Sequence, residues 1–130
     1  MKLFKKEKIY NKKVDLSKLV QEIVNYLQFD GWKVQSTSST NKALIQANKG
    51  GILRTLIAAN RSLNILIEQN EDSTKVSIGV GKWLENIAVT ALESLLLSEI
   101  FLVIDVPEML WNEVIENNLI KKIDEIVNLL

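Results

Sequence analysis

The chain has 130 residues, a formal net charge of zero, and neither cysteine nor histidine. Its length suits one compact domain, and an apolar content of 47% with a single proline excludes a disordered chain. Without cysteine, disulfides and thiolate catalysis are excluded, and without histidine the commonest proton-transfer group and zinc ligand is missing. We therefore predict a folded domain that is not an enzyme and that holds no metal and no cofactor.

The charge is unevenly distributed along the chain. Residues 1–65 contain 12 Lys and Arg against 4 Asp and Glu, whereas residues 66–130 contain 4 against 12. Many of the lysines lie in residues 1–13, which we predict to be a basic N-terminal arm preceding a single α+β domain, residues 14–130. Since no long apolar run follows these lysines, no secretory signal is predicted and we expect a cytoplasmic protein.

The segment after the arm predicts a helix followed by a β-hairpin. Asp15 suits the N-cap of this helix and Gly31 its end. The apolar positions follow the spacing of a one-faced helix: Leu16, Leu19, Val20, Ile23, Val24 and Leu27. From Trp32 to Ala47 apolar and polar residues alternate, which predicts two strands turning at residues 38–41.

The remaining chain predicts a second hairpin and then helices. A short helix is expected within residues 52–61, and two alternating runs around the turn-like NEDS, residues 70–73, indicate strands. From about Lys82 the sequence favours helix, interrupted at residues 105–108, where Asp105 can cap a new helix. The predicted fold is α+β, with an antiparallel sheet of about four strands in two hairpins. The N-terminal helix and two C-terminal helices are predicted to pack on one face.

Residues 87–104, IAVTALESLLLSEIFLVI, are long and apolar enough to raise the question of a membrane span. Their 11 Leu, Ile, Val and Phe residues favour insertion by about 3 to 7 kcal/mol, while Glu93 and Glu99 oppose it by about 5 kcal/mol. The two contributions nearly cancel, and no cluster of Lys or Arg flanks the segment. The sequence therefore favours a helix covered by protein over a transmembrane helix.

A helix over residues 84–104 would bury one apolar stripe against the sheet. The stripe consists of Leu84, Ile87, Ala88, Ala91, Leu92, Leu95, Leu96, Leu102 and Val103. Beside it remain further apolar residues that one sheet face does not easily cover: Val89, Leu97, Ile100, Phe101 and Ile104. Because apolar patches of this kind mark contact surfaces, we predict a homo-oligomer with this set as the partner interface. The alternative is a core made entirely by the chain itself.

Two groups of basic residues are candidate anion contacts. The first lies in the predicted arm: Lys2, Lys5, Lys6, Lys8, Lys12 and Lys13. The second is Lys49 with Arg54, which flank Gly50 and Gly51 ahead of a possible helix start. The first group could bind an anionic membrane or the phosphates of a nucleic acid, and the free backbone amides beside the second group could hold an anion. The alternatives are a solvated charged tail and a simple connection between strand and helix.

Two short motifs carry a resemblance. IQANKGGILR, residues 45–54, and VSIGVGKW, residues 76–83, are similar to a small uncharacterised prokaryotic α+β domain, in which a glycine-bearing turn and a Gly-Lys-Trp precede an apolar helix. The resemblance spans residues 32–104. It implies a recurring fold but no activity and no site residues.

These observations favour a non-catalytic interaction module that self-associates through the apolar segment 84–104. One alternative is a carrier of small apolar ligands with a cavity between the sheet and the C-terminal helices. Another is nucleic-acid or anionic-membrane binding through the N-terminal lysines, which would place this cytoplasmic protein at the periphery of a membrane.

Overall fold

The computed structural model describes residues 6–48, 61–84, 87 and 118–130. These residues form five strands and two helices. In chain order they are β1 (Lys6–Tyr10), α1 (Leu16–Phe29), β2 (Lys33–Ser38), β3 (Lys42–Asn48), β4 (Arg61–Gln69), β5 (Thr74–Lys82) and α2 (Lys121–Leu129).

All strands join one antiparallel sheet in the order β1-β5-β4-β3-β2. The α+β class and both predicted hairpins, β2–β3 and β4–β5, are confirmed. The sheet has five strands, one more than predicted, because Lys6–Tyr10 pairs with β5. Residues 6–10 of the predicted arm are thus part of the sheet. The sequence did not reveal this strand because most of its residues are charged. An edge strand tolerates lysine and glutamate at positions that would be buried in a central strand.

The first helix begins and ends where the sequence predicts. The side chain of Asp15 accepts a hydrogen bond from the main-chain N–H of Lys18 at 3.1 Å, which caps the helix. After Phe29 the chain turns at Gly31, whose φ of 91° is favourable only for glycine. This turn directs the chain straight into β2.

Both described helices pack on the same face of the sheet. α1 contributes Leu19, Ile23 and Leu27, and α2 contributes Ile123, Ile126 and Val127, all of them buried. The sheet meets them with the inward residues of its three central strands: Ala43, Ile45, Ala47, Leu63, Ile65, Ile67, Val76, Ile78 and Val80. The C-terminal helical prediction is confirmed over Lys121–Leu129, after a π-helical turn at residues 118–120. We call this the helical face.

The opposite face of the sheet, which we call the second face, is also buried. Leu44, Gln46 and Asn64 alternate with the core residues of β3 and β4, yet none is more than 1% exposed. Ile87 is likewise buried without belonging to the core on the helical face. Leu84 bonds to Gln46, so the segment 84–104 begins on the second face. The predicted helix over residues 84–104 is described only at residues 84 and 87, so its packing on the same face as α1 and α2 stays a prediction.

Within the ranges that the structure describes, no helix combines the length and the apolar character needed to cross a membrane. The small predicted helix within residues 52–61 lies outside those ranges, apart from Arg61, which begins β4.

The core assignment can be tested in the central strand. Replacing Ile65, which is fully buried, by alanine should lower the free energy of unfolding by about 3 kcal/mol because it leaves a cavity beneath the helices. The same replacement at Ile9 of β1, which is 64% exposed, should change it by less than about 0.5 kcal/mol. Urea unfolding followed by circular dichroism measures both values. Equal losses in the two variants would contradict the assignment.

Candidate functional site

The chain that leaves β5 turns back across the second face. Trp83 and Leu84 form what we call the crossing segment. The N–H of Leu84 donates to Oε1 of Gln46 in β3 at 3.2 Å, and the side-chain amide of Gln35 in β2 donates to the Leu84 carbonyl. Nζ of Lys33, also in β2, lies 5.3 Å from the centre of the Trp83 ring. Side chains of β2 and β3 therefore reach across the second face to hold the crossing segment.

A row of polar side chains lies beneath the crossing segment. Gln35, Gln46, Asn64 and Gly79 are opposite one another in register, one on each of four neighbouring strands. Gln35 Nε2 donates to Gln46 Oε1 at 2.8 Å, and Gln46 Nε2 donates to Asn64 Oδ1 at 3.1 Å. Ser62 Oγ donates to the same oxygen of Asn64 at 2.5 Å. We call the three amide side chains the amide row.

The amide row specifies one position of the chain above it. Gln46 is fully buried, and its Oε1 accepts from both Gln35 and Leu84. A buried amide group needs hydrogen-bond partners, since each buried donor or acceptor left without one destabilises the folded state by about 1 to 3 kcal/mol. Sliding the crossing segment by one residue would break these bonds, whereas apolar contacts alone would tolerate the shift.

The glycines of the GVGKW motif lie in β5 beside this row. Gly79 is opposite Asn64 and Gly81 is opposite Ser62, and both glycines are buried on the second face. A larger residue at either position would project a side chain into the same buried layer. The motif thus ends β5, and its two glycines leave space on the second face for other residues to pack.

Ser77 is a further buried polar residue of the second face. Ser77 is 1% exposed, and its Oγ has no hydrogen-bond partner among the groups that the structure describes. Ser77 lies opposite Leu66, two register positions from the amide row. Such a hydroxyl is a local cost to stability.

A second polar cluster ties the edge strand to α2. Lys8 Nζ contacts both carboxylate oxygens of Asp124, at 2.7 and 2.9 Å, and the hydroxyl of Tyr10 donates to Oδ1 at 2.6 Å. Lys8 and Asp124 are each 35% exposed, so solvent screens this ion pair in part. The cluster of Lys8, Tyr10 and Asp124 holds β1 against α2.

The cluster shifts two pKa values in opposite directions. Burial raises the pKa of Tyr10, and the hydrogen bond to Asp124 and the charge of that carboxylate raise it further. Burial also acts to raise the pKa of Asp124, but hydrogen bonds from Lys8 and Tyr10, with the charges of Lys8 and Lys6, outweigh it and lower that pKa. The folded state therefore favours the Tyr10 phenol and the Asp124 carboxylate.

The structure separates the predicted anion contacts. Lys8 is bound to Asp124 and Lys6 lies in the same strand, while Lys12 and Lys13 are exposed between β1 and α1. The other candidate anion contacts lie outside the described residues: Lys2, Lys5, Lys49 and Arg54. So does the whole predicted partner interface, which consists of Val89, Leu97, Ile100, Phe101 and Ile104.

The sequence did not single out the amide row, because polar residues alternating along a strand usually indicate a solvent-facing side.

Two cavities border α2. The larger has about 500 Å³ of empty space and no strand residue lines it; its lining residues are Glu22, Lys122, Glu125, Ile126, Leu129 and Leu130. A cleft between β1, β5 and α2 has about 170 Å³ of empty space. It is lined by Lys6, Lys8, Tyr10, Val76, Ile78, Ile120 and Ile123. Ligand pockets typically measure about 300 to 1,000 Å³, so this cleft alone does not support an apolar-ligand carrier. No group of potential metal ligands occurs among the described residues.

The two buried serines of the second face form a matched pair for a stability test. Ser77→Ala should leave the free energy of unfolding unchanged or raise it by up to about 1 kcal/mol, because it removes an unsatisfied hydroxyl. Ser62→Ala should lower it by about 1 kcal/mol, because Asn64 loses a donor. Urea unfolding measures the difference, and a loss at Ser77 as large as that at Ser62 would show that Ser77 has a partner.

The cluster at Asp124 predicts a pH effect. Asp124→Asn should lower the free energy of unfolding at neutral pH by about 1 kcal/mol, a value reduced for solvent screening. Because the folded-state pKa is lowered from 3.8, the contribution of Asp124 is full above that value and is lost as pH falls through the folded-state pKa. The difference in free energy of unfolding between the wild type and the variant should therefore disappear as the pH is lowered. Urea unfolding at successive pH values measures this difference.

Glu125 provides the control on the same helix. Its side chain is 63% exposed and lies 4.0 Å from Lys122, so Glu125→Gln should have little effect at any pH. An Asp124→Asn variant that kept the acid sensitivity of the wild type would show that this sensitivity arises elsewhere.

Comparison of the chain with protein-family models, with curated proteins and with solved structures gives no match. The resemblance of residues 32–104 to an uncharacterised prokaryotic domain stays a prediction.

Proposed function

We propose that the protein is a non-catalytic assembly module that self-associates through the apolar segment 84–104. The sheet acts as a rigid base, and the segment that leaves its second face provides the contact with a second copy. The interface consists of Val89, Leu97, Ile100, Phe101 and Ile104. The observation that carries the proposal is the anchoring of the start of this segment by Gln35 and Gln46.

The anchoring supports the proposal because it fixes where the segment starts. Leu84 is held by hydrogen bonds from Gln35 and to Gln46, and Ile87 is fully buried three residues later. A contact segment that is pre-positioned loses less conformational entropy on association. The amide row would thus contribute to assembly without touching the partner.

The edges of the sheet disfavour the other common route to assembly, which is strand pairing. β1 is short and carries Lys6, Glu7 and Lys8, and β2 is polar, with the sequence KVQSTS. Charged and short edge strands oppose edge-to-edge pairing. Contact through apolar side chains is the route that remains favourable.

The described surface does not offer a large apolar patch of its own. Its exposed large apolar residues are Ile9, Phe29, Leu129 and Leu130. They belong to β1, to the end of α1, and to the end of α2 with the residue after it, so they are divided among three places. Single exposed apolar residues are normal on a monomer, which again favours segment 84–104 as the contact.

Sedimentation velocity on the full chain tests the proposal. The wild type should sediment as an oligomer at micromolar concentration. Ile100→Ser with Phe101→Ser should weaken self-association at least ten-fold, since truncating central apolar anchors typically loses more than about 1.4 kcal/mol.

The matched control is Ile9→Ser with Leu129→Ser, which removes exposed apolar side chains elsewhere and should leave the oligomer intact. A wild type that stays monomeric, or a control that dissociates as readily as the interface variant, would contradict the proposal.

A further inference from the structure

An open groove lies between α1 and α2 at the surface of the helical layer. It has about 500 Å³ of empty space. α1 contributes Glu22 to its lining, and α2 contributes the flank that includes Lys122, Glu125 and Ile126, followed by the residues 129 and 130. We call it the α1–α2 groove.

The apolar part of the groove is formed by the second half of α2 and the residue after it. Ile126 is 5% exposed and forms the floor, whereas Leu129 is 82% exposed and Leu130 37% exposed. Leu129 is not among the residues that α2 buries in the core. Its apolar side chain therefore faces solvent beside an apolar floor, where burial under a partner would be favourable.

The charged side chains of the groove leave one carboxylate unpaired. Nζ of Lys122 lies 4.0 Å from Glu125 and 5.9 Å from the centre of the Tyr26 ring, so this lysine has a neighbour on each helix. Glu22 is exposed and forms neither a hydrogen bond nor an ion pair with any residue that the structure describes, including Lys18 one turn earlier in α1. With two acids against one lysine, the groove favours a cationic group.

We propose that the α1–α2 groove binds an amphipathic helix of a partner protein, which directs apolar residues toward Ile126 and Leu129 and a lysine or arginine toward Glu22. Helices that dock into grooves use an apolar face with anchors at i, i+3, i+4 and i+7. A basic residue beside that face is complementary in charge to Glu22. The inference does not depend on self-association through residues 84–104.

A helix fits the groove better than a small ligand does. Ligand sites bury about 70 to 90% of the surface of a small molecule. Here one wall is open to solvent, since Leu129 is 82% exposed and the side chain of Glu125 is 63% exposed. An open groove suits an occupant that has a polar side of its own, and an amphipathic helix has one.

The described helices of a second copy do not have the required chemistry. Both α1 and α2 already bury their apolar faces against their own sheet. A helix with one apolar stripe cannot offer that stripe to a neighbouring molecule at the same time. We therefore assign the occupant to a different protein.

Fluorescence anisotropy of labelled synthetic peptides with the full chain tests the inference. The first peptide is an amphipathic helix of about 14 residues, with leucine at i, i+3, i+4 and i+7 and lysine beside them. The second has glutamate at each lysine position, and the third has the composition of the first in an order that gives no apolar face. The first peptide should bind, the second at least about ten-fold more weakly, and the third not measurably.

Variants of the chain locate the binding. Leu129→Ser should weaken binding of the lysine peptide about ten-fold and, because Leu129 is exposed, should leave the fold intact. Glu22→Lys should reverse the preference, so that the glutamate peptide binds more tightly than the lysine peptide. The matched controls are Ile9→Ser in β1 and Glu71→Lys in the β4–β5 turn, which change exposed residues elsewhere and should bind as the wild type does.

Three results would overturn the inference. They are failure of the lysine peptide to bind, equal affinity of the wild type for the lysine and glutamate peptides, and unchanged binding by Leu129→Ser. Binding of dodecylamine that depends on Leu129, without peptide binding, would assign the groove to a small cationic ligand instead.

Failure of this inference can be separated from failure of the assembly proposal. Sedimentation velocity without peptide should give the same oligomer for Leu129→Ser and for the wild type, because residues 84–104 are unchanged. Dissociation of Leu129→Ser in that measurement would assign the groove to a second copy and overturn the inference. Loss of peptide binding with an unchanged oligomer supports the α1–α2 groove as the site for a partner helix.

Discussion

The structure depends on the need to cover β3 and β4 on both faces. On the helical face this is achieved by ordinary apolar packing, with Ile45 and Ile65 beneath α1 and α2. On the second face Gln46 and Asn64 lie next to Leu44 and Leu66, so polar groups must be bonded as well as buried. The chain satisfies this requirement by folding its own Leu84 onto Gln46.

The two faces therefore have different physical roles. Apolar packing contributes most of the stability and is tolerant of small displacements, because it is nonspecific in direction. The amide row is directional, since each of its bonds joins a particular donor to a particular acceptor. A layer of this kind is suited to holding a segment in one register. That property links the fold to the proposed assembly role, in which the position of the apolar segment matters more than its affinity for the sheet.

The topology also keeps the crossing segment apart from the edge strand β1. β5 ends at Lys82, and the chain passes from there through Trp83 to the second face. The cluster of Lys8, Tyr10 and Asp124 holds the edge strand β1 at a different place, against α2. The crossing segment and the edge strand are thus held by different polar groups on different parts of the sheet.

The sequence by itself determined the α+β class, the limits of α1, both hairpins and the helix at residues 121–129, because local periodicity, Asp15 and Gly31 encode them directly. It did not reveal β1, whose charges mask its strand pattern, nor the amide row, because Gln35, Gln46 and Asn64 meet only through strand pairing. The tertiary structure alone decided that Gln46 and Asn64 are buried and that Leu84 is bonded to Gln35 and Gln46. Register and burial are long-range properties, and they arise when residues far apart in sequence are brought opposite one another.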